Sequence, residues 1–424
     1  MLTNQGIILV LPHIDGNRTS IERFKSFIEA FNKNYDYVKI VTVNFPKSGD
    51  AFLGIDDNDT GFDSIARLYP NDVVLIHPSL NFIQAVFFKW ANINNRKWVK
   101  PLIWLHQLIY GNDIFTPTQN FDIQNSILNA PEQGYVIACG GPFGIFSMAD
   151  FISEHLGYKL VLDYRDPWTF GFAPMDGSAA IHKIKKSIKR GLEINLLKKA
   201  ALITTVSKTL KSYFPIQLQN KIFVLPNGNT TQKLTPQINP HPLFFNLVYA
   251  GTLYDIQLQD DTFFNALKIF IQGKDTSKIK LLFIGSAANK QLPKKLKRYG
   301  LLNLSTITTR LNKQSLVNYM TNATCFLHLR YGNNSGVITS KQAEYLAYRK
   351  AILLPNTDNG DIAESILLHN AGMVCNSIQD NVLFLDTLWF KFLNQQSLTL
   401  DCQAQTISNR ESIAHNFVKL IMRL

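Results

Sequence analysis

Apolar residues come along this chain in short β-rich runs, at 7–11, 38–43, 73–76, 102–105, 135–138, 159–162, 202–205 and 222–225, with polar or helix-periodic segments between them. Most of these runs lack the apolar–polar alternation of a strand with one wet face. A strand covered on both faces reads this way, so the pattern predicts a parallel sheet with helices on either side. Residues 226–242, rich in proline, asparagine and threonine, interrupt the series. A second series follows at 246–249, 280–284, 302–307, 325–329, 351–354 and 372–374, again separated by helical segments. The expectation is two similar α/β domains, 1–235 and 236–405. A closing helix over 406–424, apolar at 413, 417, 420 and 421, has the length to pack back toward the first domain.

Length agrees with this division, since 424 residues exceed one comfortable core and suit two domains of about 200 residues. A hydrophobic fraction of 46% rules out a disordered chain. Cys139, Cys325, Cys375 and Cys402 stand singly without CxxC spacing, which reads as buried thiols in a reducing compartment and not as a zinc site. The chain shows no basic leader before a cleavable apolar stretch, and no apolar run reaches the roughly 18 residues of a membrane span. The expected location is therefore cytoplasmic, with any membrane attachment peripheral at the inner face of the cell membrane. A formal charge of +12 asks for an extended anionic partner, a lipid surface or a nucleic acid. Charge is the sole support for nucleic acid, because no zinc spacing, RNP-like aromatic motif or GXXG module accompanies it, so no nucleic-acid partner is expected.

In open parallel sheets, ligands meet the loops that leave the carboxyl ends of the strands. After the first run come His13 and Gly16, a histidine able to reach a hydroxyl and a glycine that permits close approach. His106 follows the run 102–105, where a group titrating near neutrality can exchange a proton with a substrate. Asp163, Arg165, Asp166 and Trp168 leave the run 159–162; they either bind something or form an internal Asp–Arg pair beneath an indole that closes the core. Gly251 and Thr252 follow the first run of the second domain and offer backbone N–H groups. Lys341 and Glu344 stand one turn apart on a helix that Ser340 can cap, either as a phosphate and ribose pair or as a solvated face. GxGxxG and GxxxxGK[ST] are both absent, which disfavours dinucleotide binding and ATP-driven phosphoryl transfer. Asp57 and Asp59 match a DxD pattern in letters alone, since no strand precedes them, so no metal site is expected.

The stretches LDYRDPW at 162–168, KKAALITTVSKTLKSYF at 198–214, KIFVLPNGN at 221–229, LVYAGTLY at 247–254 and SKQAEYLAYRKAILL at 340–354, in this order, resemble the retaining glycosyltransferases of GT-B architecture called family 4, of the bacterial cell-surface polysaccharide and lipopolysaccharide type. The resemblance implies two Rossmann-like parallel-sheet domains facing across a cleft. It implies a nucleotide sugar as substrate with no further cofactor, carrying UDP, GDP or dTDP. The donor would be held by Gly251, Thr252, Gly285, Ser286, Ser335, Gly336, Val337, Lys341 and Glu344. Catalysis would fall to His106, Asp163, Asp166, Lys341 and Arg330, with His13, Gly16, Arg165 and Trp168 on the acceptor side. Family members commonly carry a glutamate eight positions before the one matched by Glu344; Gly336 stands there. They also often carry arginine and lysine after the first strand of the second domain, whereas 251–260 has neither, and Arg330 would replace one of these charges.

The segment 181–192 sets apolar residues at 181, 184, 188 and 192 among Lys183, Lys185, Lys186, Lys189 and Arg190. Either this stripe packs on the sheet, or the segment 181–199 lies on an anionic membrane beside a glycan or lipid-linked acceptor. Three functional classes are open: a metal-independent glycosyltransferase, a nucleotide-sugar epimerase or hydrolase, and a catalytically degenerate subunit that binds a glycan or a membrane.

Overall fold

With helices covering both faces of a sheet, each apolar run among the described residues contributes a parallel β-strand. The computed structural model describes residues 3–11, 19–43, 69, 73–76, 127, 129–140, 143–171, 180–229, 239–400 and 409–424. The run 102–105, Cys402 and the loops bearing His13, Gly16, Asp57, Asp59 and His106 lie outside them.

The chain divides into two units, one of Met1–Pro226 with Ile413–Leu424, the other of Asn227–Ser412. The first holds β1 (Thr3–Leu11), β2 (Tyr35–Val43), β3 (Val73–Ile76), β4 (Gly134–Cys139), β5 (Lys159–Tyr164), β6 (Leu202–Thr205) and β7 (Ile222–Val224). The second holds β8 (Phe245–Ala250), β9 (Ile279–Ile284), β10 (Ser305–Ile307), β11 (Cys325–Leu327), β12 (Ala351–Leu354) and β13 (Gly372–Val374). The sheet orders are β3-β2-β1-β4-β5-β6-β7 and β10-β9-β8-β11-β12-β13. Counted from its own first strand, each sheet therefore runs third, second, first, fourth, fifth, sixth, with a seventh strand closing the first sheet, the doubly wound order of nucleotide-binding sheets. Order reverses between β1 and β4 in one unit and between β8 and β11 in the other. One boundary needs correcting: Leu302–Leu304 forms a 3-10 turn and the strand expected over 302–307 begins at Ser305.

The helix Arg410–Ile421 belongs with the first unit through Ile413, Ala414, Phe417, Val418 and Ile421, which join Phe24, Phe27, Ile28 and Phe31 in one core. The Phe417 ring lies 4.9 Å from that of Phe27 and 5.6 Å from that of Phe31. Cys139, Cys325 and Cys375 are buried free thiols.

A buried ion pair ties this unit together. Arg23, on the helix Thr19–Asn32, donates to the Asp163 carboxylate at 3.1 Å, and the Thr204 hydroxyl donates to the same oxygen at 2.6 Å. Asp163 is fully buried near the end of β5, and Arg23 also donates to the carbonyls of Leu225 (3.1 Å) and Pro226. One guanidinium thus joins a helix, two central strands and the segment by which the chain leaves the unit. Removing one partner strands the other's charge in the core. Arg23→Met should cost about 3–5 kcal/mol of unfolding free energy, measured by urea denaturation at pH 7. The double variant Arg23→Met/Asp163→Leu should recover part of that loss.

Candidate functional site

At the order reversal of the second sheet, three segments converge. Gly251 follows β8, His328 follows β11, and the helix Ser340–Ala347 presents Lys341 in its first turn. Tyr345 fixes this helix to both strands: its ring stacks on Phe326 with centroids 4.4 Å apart, and its hydroxyl accepts the Ala250 N–H at 2.8 Å. The N-cap of the helix is Thr339, which makes no side-chain capping bond, so the cap expected at Ser340 sits one residue earlier and Ser340 is the first helical residue.

Lys341 is buried, not solvated. Its ammonium lies 3.8 Å from the centroid of the Tyr249 ring and has no hydrogen-bond partner. Gly251 makes this possible: its φ is +127°, and a Cβ there would lie 3.0 Å from Lys341 Cε and 3.4 Å from Nζ. Burial pushes the Lys341 ammonium down to about 7, with the Glu344 charge acting in the other direction. His328 is fully buried, neither ring nitrogen has a partner of normal geometry, and its ring stands edge-on to Tyr345 at 6.0 Å. Burial first, and then the Lys341 charge, hold the imidazole down at about 3, so His328 is neutral at physiological pH. Two basic side chains thus share an interior with no hydrogen-bonded counter-ion. Such an arrangement is costly unless an anion completes it.

Several expected donors are occupied. The Gly251 N–H donates to the Ile284 carbonyl (2.7 Å), the Gly285 N–H to Thr308 Oγ1 (3.2 Å) and the Ser286 hydroxyl to the Gly251 carbonyl (3.0 Å). These bonds close the ends of β8 and β9 onto each other. Thr252 is exposed, and its carbonyl accepts the Tyr249 hydroxyl at 2.9 Å. Arg330 is paired with Asp260 at 2.9 Å and donates to the Thr357 carbonyl at 3.3 Å, so its charge is already balanced. The Ser335 carbonyl accepts the Asp361 N–H at 3.0 Å, Gly336 is buried, Val337 packs on the core, and Glu344 is half-buried beside Lys341.

In the first unit the residues expected to emerge together separate. Asp163 is turned inward to Arg23, Arg165 pairs with Asp166 at 3.2 Å near the surface, and Trp168 stacks on Phe143 at 5.2 Å. Glu193 is a buried acid that the sequence reading does not single out. It lies on the helix Ala180–Lys199, is fully buried, and accepts the Thr169 N–H at 2.9 Å and the Thr169 hydroxyl. Burial pushes its carboxyl up to about 7, against the opposing bonds from Thr169 and Tyr164 and the charge of Arg190. The buried face of this helix is set by Glu193, Leu196 and Leu197, which leaves Leu192 46% exposed. Among the described residues no helix is long and apolar enough to cross a membrane, and no group of three or more His, Cys, Asp or Glu is gathered as metal ligands.

No protein-family model matches the chain, and no curated protein sequence matches it. Solved structures do. Sucrose-phosphate synthase from Thermosynechococcus elongatus aligns over 99% of both chains at 9% identity with a TM-score of 0.55. A lipopolysaccharide outer core galactosyltransferase aligns over 99% of both chains at 11% identity with a TM-score of 0.51. A structure from Listeria monocytogenes assigned as a UDP-N-acetylglucosamine 2-epimerase aligns over 98% of this chain and 95% of that one, at 12% identity and a TM-score of 0.50. Identities this low speak to fold alone, and the fold is GT-B-like, shared with several nucleotide-sugar enzymes.

The Glu193 carboxyl, raised on folding, favours the folded state below the unfolded pKa near 4.5, and that contribution is lost as pH rises through about 7. Glu193→Gln should therefore match the parent near pH ~4 and exceed it by about 2–3 kcal/mol near pH ~8. Paired urea titrations at the two pH values measure this difference.

Proposed function

We propose that the chain is a glycosyltransferase that moves a sugar from a nucleotide-diphosphate sugar, UDP-, GDP- or dTDP-linked, to a glycan or lipid-linked acceptor. The observation that carries this reading is the buried Lys341 ammonium without a hydrogen-bond partner, at the carboxyl edge of β8 and β11. A departing nucleoside diphosphate gains negative charge on its outer phosphate, and fixed positive charge at that oxygen lowers the barrier. Lys341 supplies it, held between Tyr249 and Gly251. In the same reading the N–H groups of Gly336 and Val337 meet the phosphates, and Glu344 accepts hydrogen bonds from the ribose diol. Retention of anomeric configuration is what the family resemblance implies, and metal independence is the reading of a sequence whose one DxD match, Asp57 and Asp59, follows no strand.

The acceptor falls to the first unit, where Arg165 and Asp166 follow β5 and where the segments bearing His13 and His106 belong in sequence. Helix Ala180–Lys199 turns Leu192 and Arg190 outward, and with its lysines it is the surface proposed to meet an anionic membrane carrying the acceptor. A second reading, a donor-binding subunit without turnover, is favoured by the pairing of Arg330 with Asp260, which withholds one of the charges a leaving diphosphate would use. Product analysis separates the two, and sugar released or epimerised without any acceptor would instead indicate a hydrolase or an epimerase.

UDP, GDP or dTDP should raise the melting temperature of the purified protein, since a ligand of the folded state stabilises it. Lys341→Met should weaken that binding roughly 10–100-fold, the worth of a charge-assisted hydrogen bond of about 1.5–3 kcal/mol. Glu344→Ala should weaken nucleotide-sugar binding as well. No stabilisation by any of the three nucleotides at millimolar concentration would remove the donor assignment.

A further inference from the structure

Lys341 and His328 occupy one dry interior, and neither is neutralised by a hydrogen-bonded acid. The Lys341 ammonium rests on the Tyr249 face at 3.8 Å with no hydrogen-bond partner, and neither nitrogen of His328 has a partner of normal geometry. The titratable and charged groups around them can be named element by element. β8 contributes Tyr249, the segment after β11 contributes Tyr331, and the helix Ser340–Ala347 contributes Glu344 and Tyr345. Burial raises all three tyrosines, which leaves them neutral through the physiological range. Arg330, two residues from His328, is turned to Asp260. Among these neighbours the one acid is Glu344, half-buried where Lys341 is buried.

We propose that this site takes up its anion together with a proton, so that Lys341, and at lower pH His328, becomes charged as the diphosphate enters. The inference rests on the donor site described above and concerns how that site is charged. Before binding, a positive charge on Lys341 is opposed by burial, and one on His328 by burial and by the Lys341 charge. An entering diphosphate supplies the missing counter-charge and thereby favours the protonated form of both. By linkage, a ligand that favours the protonated form binds more tightly as pH falls, and protons are taken up on binding. For Lys341 the sign is set by its low starting value of about 7: uptake is large above that pH and vanishes below it, where the ammonium is already formed. For His328 the starting value is about 3, so its uptake appears in the acid range, below the ordinary imidazole value. His328 is here a positioning residue whose charge follows the ligand.

The experiment is isothermal titration calorimetry of the full chain with UDP-glucose, GDP-glucose and dTDP-glucose, whose doubly esterified phosphates stay fully ionised between pH ~5 and pH ~9. Each titration is repeated in buffers of different ionisation enthalpy, phosphate buffers excluded because they compete. Proton uptake should approach about one per ligand near pH ~8, and the Kd should rise toward tenfold per pH unit above neutrality. Lys341→Arg, permanently charged, should still bind but take up no proton near pH ~8 and show a flat Kd there. His328→Phe should keep the alkaline uptake and lose the uptake near pH ~5. Binding by the wild-type chain with the same apparent heat in every buffer near pH ~8 would overturn the coupling while leaving the donor site intact. Alkaline uptake that persists in Lys341→Arg would overturn the assignment to Lys341, and acid uptake that persists in His328→Phe would overturn the assignment to His328. No binding of any nucleotide sugar would overturn the donor site and this inference with it.

Discussion

A parallel sheet covered on both faces has nowhere along its length to put a charge. Strands β4 and β8 are buried along their whole length and β1 from Gly6 onward, and most of their side chains belong to continuous apolar layers. The polar groups of the candidate site gather at the carboxyl edge, where the strands end and helix amino termini and loops meet. Asp163 stands near the end of β5, Thr204 and Thr205 at the end of β6, and His328 one residue beyond β11. The position of the candidate site is thus a consequence of how the sheets bury themselves.

Charges at that edge meet two fates in this molecule. Asp163 is closed by Arg23 and Thr204, and Arg330 is closed by Asp260. Both pairs hold the backbone, the first across strands and chain exit, the second between two loops of the second unit. Lys341 meets the other fate: its ammonium lies against an aromatic face and a glycine, near a neutral imidazole, and Glu344, the acid nearby, makes no hydrogen bond to it. Because an uncompensated buried charge disfavours folding, its retention is informative in a way that a closed pair is not. The contrast between Arg330 and Lys341, eleven residues apart in sequence, is what separates scaffold from candidate binding group.

The strands are legible in the sequence because a doubly covered strand is apolar at most positions; the runs 73–76, 202–205, 351–354 and 372–374 coincide with β3, β6, β12 and β13. The run 302–307 misleads because its first three residues set two leucines in a 3-10 turn, and local composition does not distinguish that from a strand. Spacing puts Lys341 and Glu344 on one helix. Whether that helix faces water is not legible, since its burial depends on Phe326 and Tyr249 from distant segments. Arg23 and Asp163 are 140 residues apart, and no local pattern links them. His328 is hidden inside the apolar run from Cys325 to Leu329, where a histidine reads as one polar residue in a core strand. A titratable side chain within an otherwise apolar run beside a strand end is the signal available, and Glu193, a lone acid in a basic helix, carries a similar one.

The helix Arg410–Ile421 gives the first unit a property that its own first 226 residues do not have. Phe417 and its neighbours cover Phe27, Ile28 and Phe31, so that wall of the core stays uncovered while roughly 190 intervening residues of the second unit are being made. At about 5–20 residues per second on the ribosome, this exposure lasts on the order of 10–40 seconds. The second unit has every strand of its sheet in one continuous stretch and is able to complete its core before the first unit does. Birth order and order of completion are therefore reversed in this chain, and the earlier half is the one that waits with aromatic surface open to chaperones.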